Sequence, residues 1–513
     1  MIKKELEKKL QDVWSELGFL FPKILLELPK NAGYGDYATN IAFSLTKEWR
    51  MSPQQAAEKL CDAISTHPEF ANRVLFNVQN GFINLRLTDA FLWSHQNQPI
   101  QFPETQESTL LEYVSANPTG PLHIGHGRWA VLGSTLFNLL SYVGIPVKSE
   151  FYINDSGNQI VKFYNSVDAA RKGEAIPEDG YHGAYIQDLA ASEKDPLQAN
   201  LDHHKETLLK LGITFDAWFS EKTLHESGEV MSTIEQLKKA NMTYENEGAL
   251  WFKSSEFGDD KDRVLIKAGG ALTYFAVDIA YHQDKVKRGF SRLINIWGAD
   301  HHGYVNRVRA GVAALFGKEF LVESHFHIMI GQLVSLMRGG EPVRMSKRTG
   351  DMITLDEVID EIGSDATRFF LVNKGPDTHI EFDLELAKTK SAENPVYYIQ
   401  YAHARLSGIL KKITQKPDAV LATTELNPTE RQLLLHALQM SDVLWEAAQH
   451  LVPHRVAQYA FQMARYIHLF YETCPIAQAD PKDQEKRLLI LTTAQKTLAE
   501  ALSILGISAP TEM

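Results

Sequence analysis

One strand-helix-strand segment constrains the fold of this chain more than any other feature. LLEYVS at 110–115 has the unbroken apolar character of a buried strand, a helical pattern follows from about His123 to Val143, and VKSEFYIND at 147–155 forms a second strand. Strands joined in this way pair in parallel, with a right-handed crossover. RLINIWGAD at 292–300 repeats the buried-strand pattern. We therefore predict a multidomain α/β protein built around a Rossmann-like parallel sheet.

Two further units flank the predicted sheet. The first hundred residues combine helical segments with the strand pair VLFNVQNGFINLRL, which turns at Asn80-Gly81. From Asn394 onward the chain has no strand pattern, and its apolar residues recur at helical spacing. We predict an N-terminal α+β domain at 1–100, an α/β domain at 104–393 with a charged helical insertion near 160–250, and an all-α helical bundle at 394–513.

The charge distribution restricts the kinds of partner. The net charge of −12 argues against indiscriminate binding of polyanions, because phosphate contacts need Lys and Arg. Residues 1–100 and 395–513 each contain 11 basic and 11 acidic residues, so the whole net charge lies between them. A nucleic acid would therefore meet the least repulsion at the two flanks, unless these are only solvated surface.

Composition also bears on the compartment. Only two cysteines, Cys61 and Cys474, are present, which disfavours a disulfide framework or a Cys-ligated zinc site and fits a reducing cytoplasm. The start of the chain is charged and does not resemble a secretory signal. The uncharged stretch from Trp129 to Val147 is long enough for a membrane span, but it contains several polar residues and Pro146, so we predict a buried helix and strand.

The turn Asn117-Pro-Thr-Gly-Pro-Leu-His123-Ile-Gly125-His126 is the first candidate site. A strand end, a tight turn and a helix start would aim free N–H groups and a positive helix dipole at one point, where a phosphate could bind. His123 and His126 lie three residues apart and could both donate to phosphate oxygens, while Gly125 would leave room for a flat base. The alternative is a pair of histidines that only cap the helix.

A basic segment near residue 345 is the second candidate. Gly339-Gly340 precede Arg344-Met345-Ser346-Lys347-Arg348-Thr-Gly350, and glycines on both sides predict a mobile basic loop at 339–350. A lysine on such a loop can reach charge that develops on a phosphate. Taken alone, the segment fits a solvated basic turn equally well.

A predicted helix carries the third candidate. Leu272-Thr-Tyr274-Phe-Ala-Val-Asp278-Ile-Ala-Tyr281-His282 places Tyr274, Asp278 and Tyr281 on one helix face. A carboxylate between flat phenol rings suits a planar guanidinium. The alternative is that Asp278 only forms an ion pair with Lys285 or Arg288.

The combination resembles a known enzyme family. A His-Ile-Gly-His turn followed about 220 residues later by a Met-Ser-Lys loop is similar to the two signatures of class I aminoacyl-tRNA synthetases. The run TYFAVDIAYHQDKVKRGF, with WGADHHGYVNRV after it, closely resembles arginyl-tRNA synthetase. Segments around Gly35–Asn40 and Gly81–Asn84 resemble that family's additional N-terminal domain, and Asn394–Arg405 with the C-terminus resembles its anticodon-binding domain.

The resemblance implies a function and residue roles. It implies ATP-dependent activation of L-arginine and its transfer to the 3′ end of tRNA(Arg), with Mg²⁺ accompanying ATP and no zinc. It also implies a cytoplasmic monomer without DNA or membrane partners. By position in the family's motifs, the resemblance assigns catalysis to His123, His126 and Lys347. These three residues would also bind ATP, together with Gly125, Gly298, Asp300, Met345 and Ser346. Arginine would be bound by Glu112, Ser115, Asn117, Tyr274, Asp278 and His302, and tRNA by Phe82 and Asn84.

The chain departs from the family at three points, and other interpretations stay open. Arg344 and Arg348 stand where the family's loop has lysine and serine, and Ala268-Gly269-Gly270 replaces a frequent Ser-Asp-Gly. A nucleotidyltransferase that does not use tRNA would share the phosphate turn, and an RNA-binding relative that has lost catalysis would share the flanking domains. Phe82 and Asn84 could equally be a buried ring and a turn amide.

We predict that Lys347→Ala lowers adenylate formation roughly 10²–10³-fold, or about 3–4 kcal/mol, because the positive charge acts mainly in the transition state. ATP affinity should change little. Exchange of pyrophosphate into ATP measures both quantities, and a variant altered only in its KM for ATP would contradict this role.

Overall fold

A five-stranded parallel sheet forms the centre of the computed structural model, which describes residues 1–21, 23–29, 32–96, 98–343, 353–412 and 424–513. All four strand pairs in this sheet are parallel, as expected from the strand-helix-strand segment. The strands, in spatial order, are β11 (Phe326–Gly331), β10 (Arg292–Gly298), β4 (Thr109–Glu112), β5 (Val147–Ile153) and β6 (Ala217–Ser220).

The strand order reverses direction between β4 and β10. The chain moves outward from β4 through β5 to β6, and then returns to the other side of β4 to form β10 and β11. This doubly wound order leaves a crevice at the carboxyl ends of β4 and β10, where ligands bind in open α/β sheets. The predicted fold class is confirmed, and helix α5 (Ile124–Tyr142) connects β4 to β5 along the predicted span.

The segment predicted to be a helical insertion also supplies strands. Residues 160–250 contribute β6 to the central sheet and part of an antiparallel sheet of β7 (Thr243–Asn246), β8 (Ala249–Phe252) and β9 (Arg263–Ile266). These strands are four residues each, too short for periodicity to separate them from helix. The helices of this region are α6 (Asn158–Lys172), α7 (Ala184–Ala191), α8 (Pro196–Lys210), α9 (Glu221–Glu226) and α10 (Glu229–Lys239).

The second half of the α/β domain surrounds the carboxyl ends of β10 and β11. A short 3₁₀ helix at Ala299–Tyr304 follows β10 directly. The remaining elements are α11 (Tyr274–Lys287), α12 (Val305–Phe316), β12 (Val334–Arg338), β13 (Glu341–Pro342), α13 (Leu355–Ile362), α14 (Ser364–Val372), β14 (Ile380–Asp383) and α15 (Leu384–Lys388).

The N-terminal domain is a small α+β unit, as predicted. Asn80 and Gly81 both have positive φ, +52° and +81°, which is the two-residue turn that matches the twist of a hairpin. Its strands are β1 (Tyr37–Thr39), β2 (Val74–Gln79) and β3 (Phe82–Leu87), and its helices are α1 (Ile2–Glu16), α2 (Ala42–Trp49), α3 (Pro53–Ser65) and α4 (Asp89–Gln96).

The described residues after 394 form only helices. By length and composition the last of these helices, Pro481–Leu505, could cross a membrane, although more than half of its apolar window is buried within the protein. The helices are α16 (Pro395–Lys412), α17 (Pro428–Leu438), α18 (Met440–Gln449), α19 (His454–Thr473) and α20 (Pro481–Leu505).

The helical bundle contacts both other domains. Arg431 of α17 forms a two-pronged ion pair with the buried Asp36 of the N-terminal domain, at 2.6 and 3.0 Å. On its other side the bundle meets the C-terminal half of α5. There Asn138 donates to the Ile504 carbonyl at 3.1 Å and the Tyr142 hydroxyl donates to Glu500 at 2.9 Å.

We predict that Arg431→Ala lowers the melting temperature clearly, because it leaves the Asp36 carboxylate buried without its counter-ion, a loss of about 3–5 kcal/mol. Lys411→Ala is the matched control, since Lys411 and Glu512 form an exposed pair of the kind worth less than about 1 kcal/mol. Calorimetry compares the two variants, and equal shifts would contradict a stabilising role for the Arg431–Asp36 pair.

Candidate active site at the carboxyl ends of β4 and β10

The backbone is strained where β4 enters the crevice. Val114 and Ser115 have φ values of +71° and +43°. Residues other than glycine rarely adopt this backbone conformation, least of all β-branched residues such as valine. The Ser115 hydroxyl holds this bend by donating to Glu112 at 3.0 Å and accepting from the Tyr152 N–H at 3.2 Å. Such strain persists only where surrounding contacts fix it, and it is concentrated at functional sites.

Two histidines cap α5 reciprocally. His123 is the N-cap residue, and its Nδ1 accepts from the N–H groups of Gly125 and His126, at 3.1 and 3.4 Å. The His126 Nδ1 accepts from the His123 N–H at 3.3 Å, and the two rings stack with centroids 3.7 Å apart. The arrangement is a capping box made of imidazoles.

This capping fixes the tautomer of both rings. An Nδ1 that accepts a hydrogen bond carries no proton, so each neutral ring has its proton on Nε2 and donates there. Capping and donation to a phosphate are therefore compatible, and the two sequence interpretations do not compete. A Cβ on Gly125 would lie 2.9 Å from the His123 ring, so this glycine makes room for the capping histidine, and no contact with a base is needed to explain it.

The basic loop residues Met345, Ser346 and Lys347 lie outside the described residues, as do Arg344 and Arg348. The described part of the chain continues from Ile353. Thr354 forms a β-bridge with His123, and the Leu355 N–H donates to the Leu122 carbonyl at 2.8 Å. Thr354 and Leu355, which follow the basic loop in the sequence, are thus hydrogen-bonded to the histidine turn.

Buried carboxylates line the crevice below the turn. Glu112 on β4 and Glu150 on β5 are in register, and both are neutralised by cations of α11. Lys285 forms a buried ion pair with Glu112, which also accepts from Asn295 at 3.0 Å. Arg288 contacts Glu150 with two nitrogens at 2.6 and 3.0 Å.

Asp278 is buried in a different setting. It receives a hydrogen bond from Tyr304, whereas the Tyr281 hydroxyl donates to Glu150 at 2.8 Å. The expectation that Tyr281 flanks Asp278 is therefore wrong, because the Tyr281 side chain of α11 points toward Glu150 on β5. Burial, with the nearby Glu221 and Glu112 carboxylates, raises the pKa of Asp278 to about 8.

Glu221 is a second buried acid beside Asp278. It begins α9, is 4% exposed, and accepts from the Tyr152 hydroxyl at 2.6 Å and from Ser156. Within the described part of the chain, neither Asp278 nor Glu221 has a lysine or arginine within 4.0 Å, so Lys285 and Arg288 do not pair with Asp278. Tyr274 lies at the mouth of this pocket, 52% exposed, and accepts from Asn154 at 3.3 Å.

The other predicted ligand residues lie around the rim. Asp300 and His302 are exposed in the 3₁₀ helix after β10. A Cβ on Gly298 would meet the Trp129 ring at 2.9 Å, so this glycine accommodates an indole next to His126. Asn117 is exposed and its amide donates to Gln159 at 2.7 Å. Gly298, Asp300 and His302 follow β10, and Asn117 follows the neighbouring strand β4, so all four lie at the carboxyl ends of these two strands.

Phe82 and Asn84 lie far from this crevice, on β3 of the N-terminal domain. Phe82 is 37% exposed at the hairpin end and packs edge-on against Phe43, with ring centroids 5.4 Å apart. Asn84 is buried, at 4% exposure, with its backbone paired to Ala38 and Asn77. Of the two side chains, only the phenyl ring presents a surface on which a base could stack.

Comparison with family models matches all three domains. The arginyl tRNA synthetase N terminal domain matches residues 1–87, the class I (R) tRNA synthetase catalytic domain matches residues 197–407, and the DALR anticodon binding domain matches residues 399–513. The fold and the histidine turn thus define a class I aminoacyl-tRNA synthetase.

Individual relatives specify the family. The chain is 40% identical to the arginine–tRNA ligase of Desulforamulus reducens, over 96% of this chain and 94% of the relative. It is 36% identical to the arginyl-tRNA synthetase structure from Campylobacter jejuni, which covers 83% of this chain and 100% of that one with a TM-score of 0.76. The Thermus thermophilus arginyl-tRNA synthetase, 24% identical, has the same fold over 100% of both chains, with a TM-score of 0.83. The chain belongs to the arginyl-tRNA synthetase family and is an enzyme of its kind.

Sequence reasoning missed two acidic-pocket residues, Glu221 and Tyr304, and the roles of Lys285 and Arg288. Glu221 lies 57 residues before Asp278 in a charged segment, where no pattern separates it from surface acids. Tyr304 follows the Trp297-Gly-Ala-Asp-His-His run. It could have been predicted as a site residue, because a residue just after the carboxyl end of a parallel strand lies near the crevice.

We predict that arginine binding releases a proton from Asp278, because a guanidinium beside the carboxylate lowers its raised pKa again. With a free-enzyme pKa of about 8, release should fall from close to one proton per arginine at pH 6.5 to about one quarter at pH 8.5. Arginine affinity should therefore rise with pH up to about 8.

Calorimetric titrations in buffers of different ionisation enthalpy measure this release. Asp278→Asn provides the control, since it should remove the pH dependence. Binding at pH 6.5 without proton release would mean that Asp278 is already ionised before arginine enters.

Proposed function

We propose that the Asp278–Glu221 pocket binds the guanidinium group of the substrate arginine during its ATP-dependent activation. The observation that carries this assignment is the division of the buried acids into two sets. Glu112 and Glu150 are paired with Lys285 and Arg288, whereas no lysine or arginine of the described residues lies within 4.0 Å of Asp278 or Glu221. The nearest basic group to Glu221 in that part of the chain is the His225 imidazole, at 3.6 Å. Burial keeps Asp278 largely protonated near neutral pH, and a cationic ligand beside it would stabilise its ionised form.

The shape of the pocket favours a guanidinium over an ammonium. Two carboxylates and the Tyr274 phenol offer directional acceptors and a flat wall, which match a planar fork of donors. The inner acid Glu112 lies deeper along β4, next to the strained Ser115 and the exposed Asn117. We assign these residues to the amino-acid backbone of arginine, and His302 to the rim above it.

The histidine turn is assigned to ATP. The two Nε2–H groups and the N-terminus of α5 supply donors and positive potential where the phosphates would bind, and Gly298 with Asp300 supports the nucleotide at the end of β10. Lys347 is assigned to the same step from the basic loop, because Thr354, which follows that loop in the sequence, bridges to His123. Met345 and Ser346 belong to the same loop.

The chemistry on these residues has two steps. A carboxylate oxygen of arginine attacks the α-phosphorus of ATP, a P–O bond forms, and pyrophosphate leaves with the electrons of the broken P–O bond. A ribose hydroxyl at the 3′ end of tRNA then attacks the arginyl carbonyl carbon, loses its proton, and AMP leaves. No covalent bond to the protein is needed, so the residues act by positioning and charge stabilisation.

Magnesium fits this site as part of the nucleotide. No group of three or more His, Cys, Asp or Glu side chains in the described residues could hold a metal alone. Mg²⁺ commonly takes its ligands from triphosphate oxygens, water and one or two carboxylates, and Asp300 is the exposed carboxylate at this edge. Bound there, the ion would neutralise phosphate charge. We assign no zinc.

Both flanking domains are assigned to tRNA(Arg). In the helical bundle, the Arg405 guanidinium lies between two phenol rings, 4.7 Å from the centre of Tyr401 and 4.2 Å from that of Tyr471, and Tyr471 is 50% exposed. Such a stack of rings and guanidinium suits unpaired bases. In the N-terminal domain, Phe82 supplies a second stacking surface, and Asn84 lies behind it on the same strand.

A monomer acting in the cytoplasm, without DNA or a membrane, completes the proposal. Two buried free thiols, Cys61 and Cys474, and the net charge of −12 support it.

We predict that Asp278→Asn lowers kcat/KM for arginine about 30-fold or more, because it keeps the shape of the pocket and removes the counter-ion of a buried guanidinium, worth about 2–5 kcal/mol. Binding of citrulline, which is planar but neutral, should weaken far less. Arginine- and tRNA-dependent pyrophosphate exchange measures the first quantity, and competition by citrulline measures the second.

Asp216→Asn is the matched control, because Asp216 lies at the opposite edge of the sheet, before β6, and contacts Lys148 and Ser149. It should leave the preference for arginine over citrulline unchanged. If Asp278→Asn weakened both ligands equally, the guanidinium would have to be bound by Glu112, and the proposed orientation of arginine would be wrong.

A further inference from the structure

The helical insertion is bonded to the turn that precedes the two histidines. Three consecutive backbone carbonyls of this turn, at positions 118–120, each accept a hydrogen bond from a different side chain of the insertion. The bonds are Asn200 Nδ2 to the Pro118 oxygen at 3.1 Å, Tyr185 Oη to the Thr119 oxygen at 2.9 Å, and His204 Nε2 to the Gly120 oxygen at 2.8 Å.

These donors are held firmly. Asn200 and His204 lie one helical turn apart on α8, at 5% and 0% exposure. Burial lowers the pKa of His204 to about 4, so the ring is neutral and its single proton is used on the Gly120 carbonyl. Tyr185 at the start of α7 packs against the small core that joins α6 and α7.

The three bonds fix the orientation of the turn. Because its carbonyls point toward the insertion, the intervening peptide N–H groups point away from it. Pro118 and Pro121 have no N–H, and the N–H groups of Thr119 and Gly120 have no acceptor within the described ranges. The chain then enters the histidine cap directly, at His123.

A neighbouring face of α8 contacts α13, whose first residue is hydrogen-bonded to the histidine turn. His203 and Lys210 form ion pairs with Asp356 in the first turn of α13, at 3.2 and 3.0 Å, and Thr207 donates to the same carboxylate. Leu355, the residue before Asp356, is bonded to Leu122. One helix therefore supports the turn before the histidines and the helix that follows the basic loop.

We propose that Tyr185, Asn200 and His204 are positioning residues for adenylate formation, which hold the turn so that the two histidine Nε2–H groups meet the phosphates in the transition state. This inference rests on the proposed phosphate role of His123 and His126. It gives the helical insertion a function in the chemical step, although none of its three side chains lies in the crevice.

The test compares purified full-length variants in pyrophosphate exchange with ATP, arginine and tRNA, each normalised by the amount of folded enzyme. Tyr185→Phe removes one oxygen only, and we expect kcat about tenfold lower, with KM for arginine and the melting temperature unchanged. Tyr164→Phe is the matched control. Tyr164 is in the same insertion, but its hydroxyl donates to Asp195 at 2.8 Å and does not contact the turn, so we expect full activity.

His204 supplies a rescue experiment. His204→Leu removes the donor to Gly120, and its kcat should fall at least tenfold, whereas His204→Gln places an amide nitrogen near the former Nε2 and should recover most of the rate. Equal loss in the Leu and Gln variants would overturn the positioning role, because of these two side chains only glutamine can donate to the Gly120 carbonyl.

The remaining outcomes separate the inference from the proposed function. If wild-type exchange requires arginine and Tyr185→Phe retains its full kcat, the inference alone is wrong. If Tyr185→Phe and Tyr164→Phe lose activity equally, the insertion stabilises the fold only. If wild-type exchange proceeds without arginine, the proposed function fails, and the inference with it.

Discussion

Two buried glutamates side by side in the central sheet determine which cations must lie beside them and therefore how α11 packs on the sheet. Glu112 and Glu150 are in register on neighbouring strands, and both are buried, at 5% and 0% exposure. Like charges this close destabilise a sheet unless cations accompany them. Lys285 and Arg288, three residues apart on α11, provide those cations and fix where α11 packs over the strands. The position of Asp278, about two to three turns earlier, follows from this packing.

The internal ion pairs also determine which charge is left for a ligand. A cluster of four buried acids would bind any cation if all four were unpaired. With two of them paired to Lys285 and Arg288, Asp278 and Glu221 are the two acids that the proposed function assigns to the guanidinium. Under that proposal, selectivity also depends on Lys285 and Arg288, which are assigned no contact with arginine but neutralise the two other acids.

The sequence predicted the fold well because the patterns that carry it are long. The α5 span and the hairpin turn at Asn80-Gly81 were predictable from apolar periodicity and turn chemistry. The four-residue strands between 217 and 266 were not, since a short strand has too few residues to show a period. In the site, motif residues such as Asp278 could be predicted from the sequence. That Glu221 and Tyr304 are its neighbours could not be predicted, because they come from other segments of the chain. Only tertiary packing shows that Tyr281 belongs to Glu150.

The number of residues in helix α5 is constrained by the contacts at its two ends. It carries the histidine cap at its first turn and contacts the tRNA-binding bundle through Asn138 and Tyr142 near its last, about 28 Å away for 19 residues. An inserted or deleted residue would rotate one end against the other by about 100°. Substitutions along this helix are therefore tolerated as long as its packing is kept. A change in its number of residues would need a simultaneous change in how the helical bundle contacts it. Length variation in relatives should be found in the surrounding loops and spare this helix.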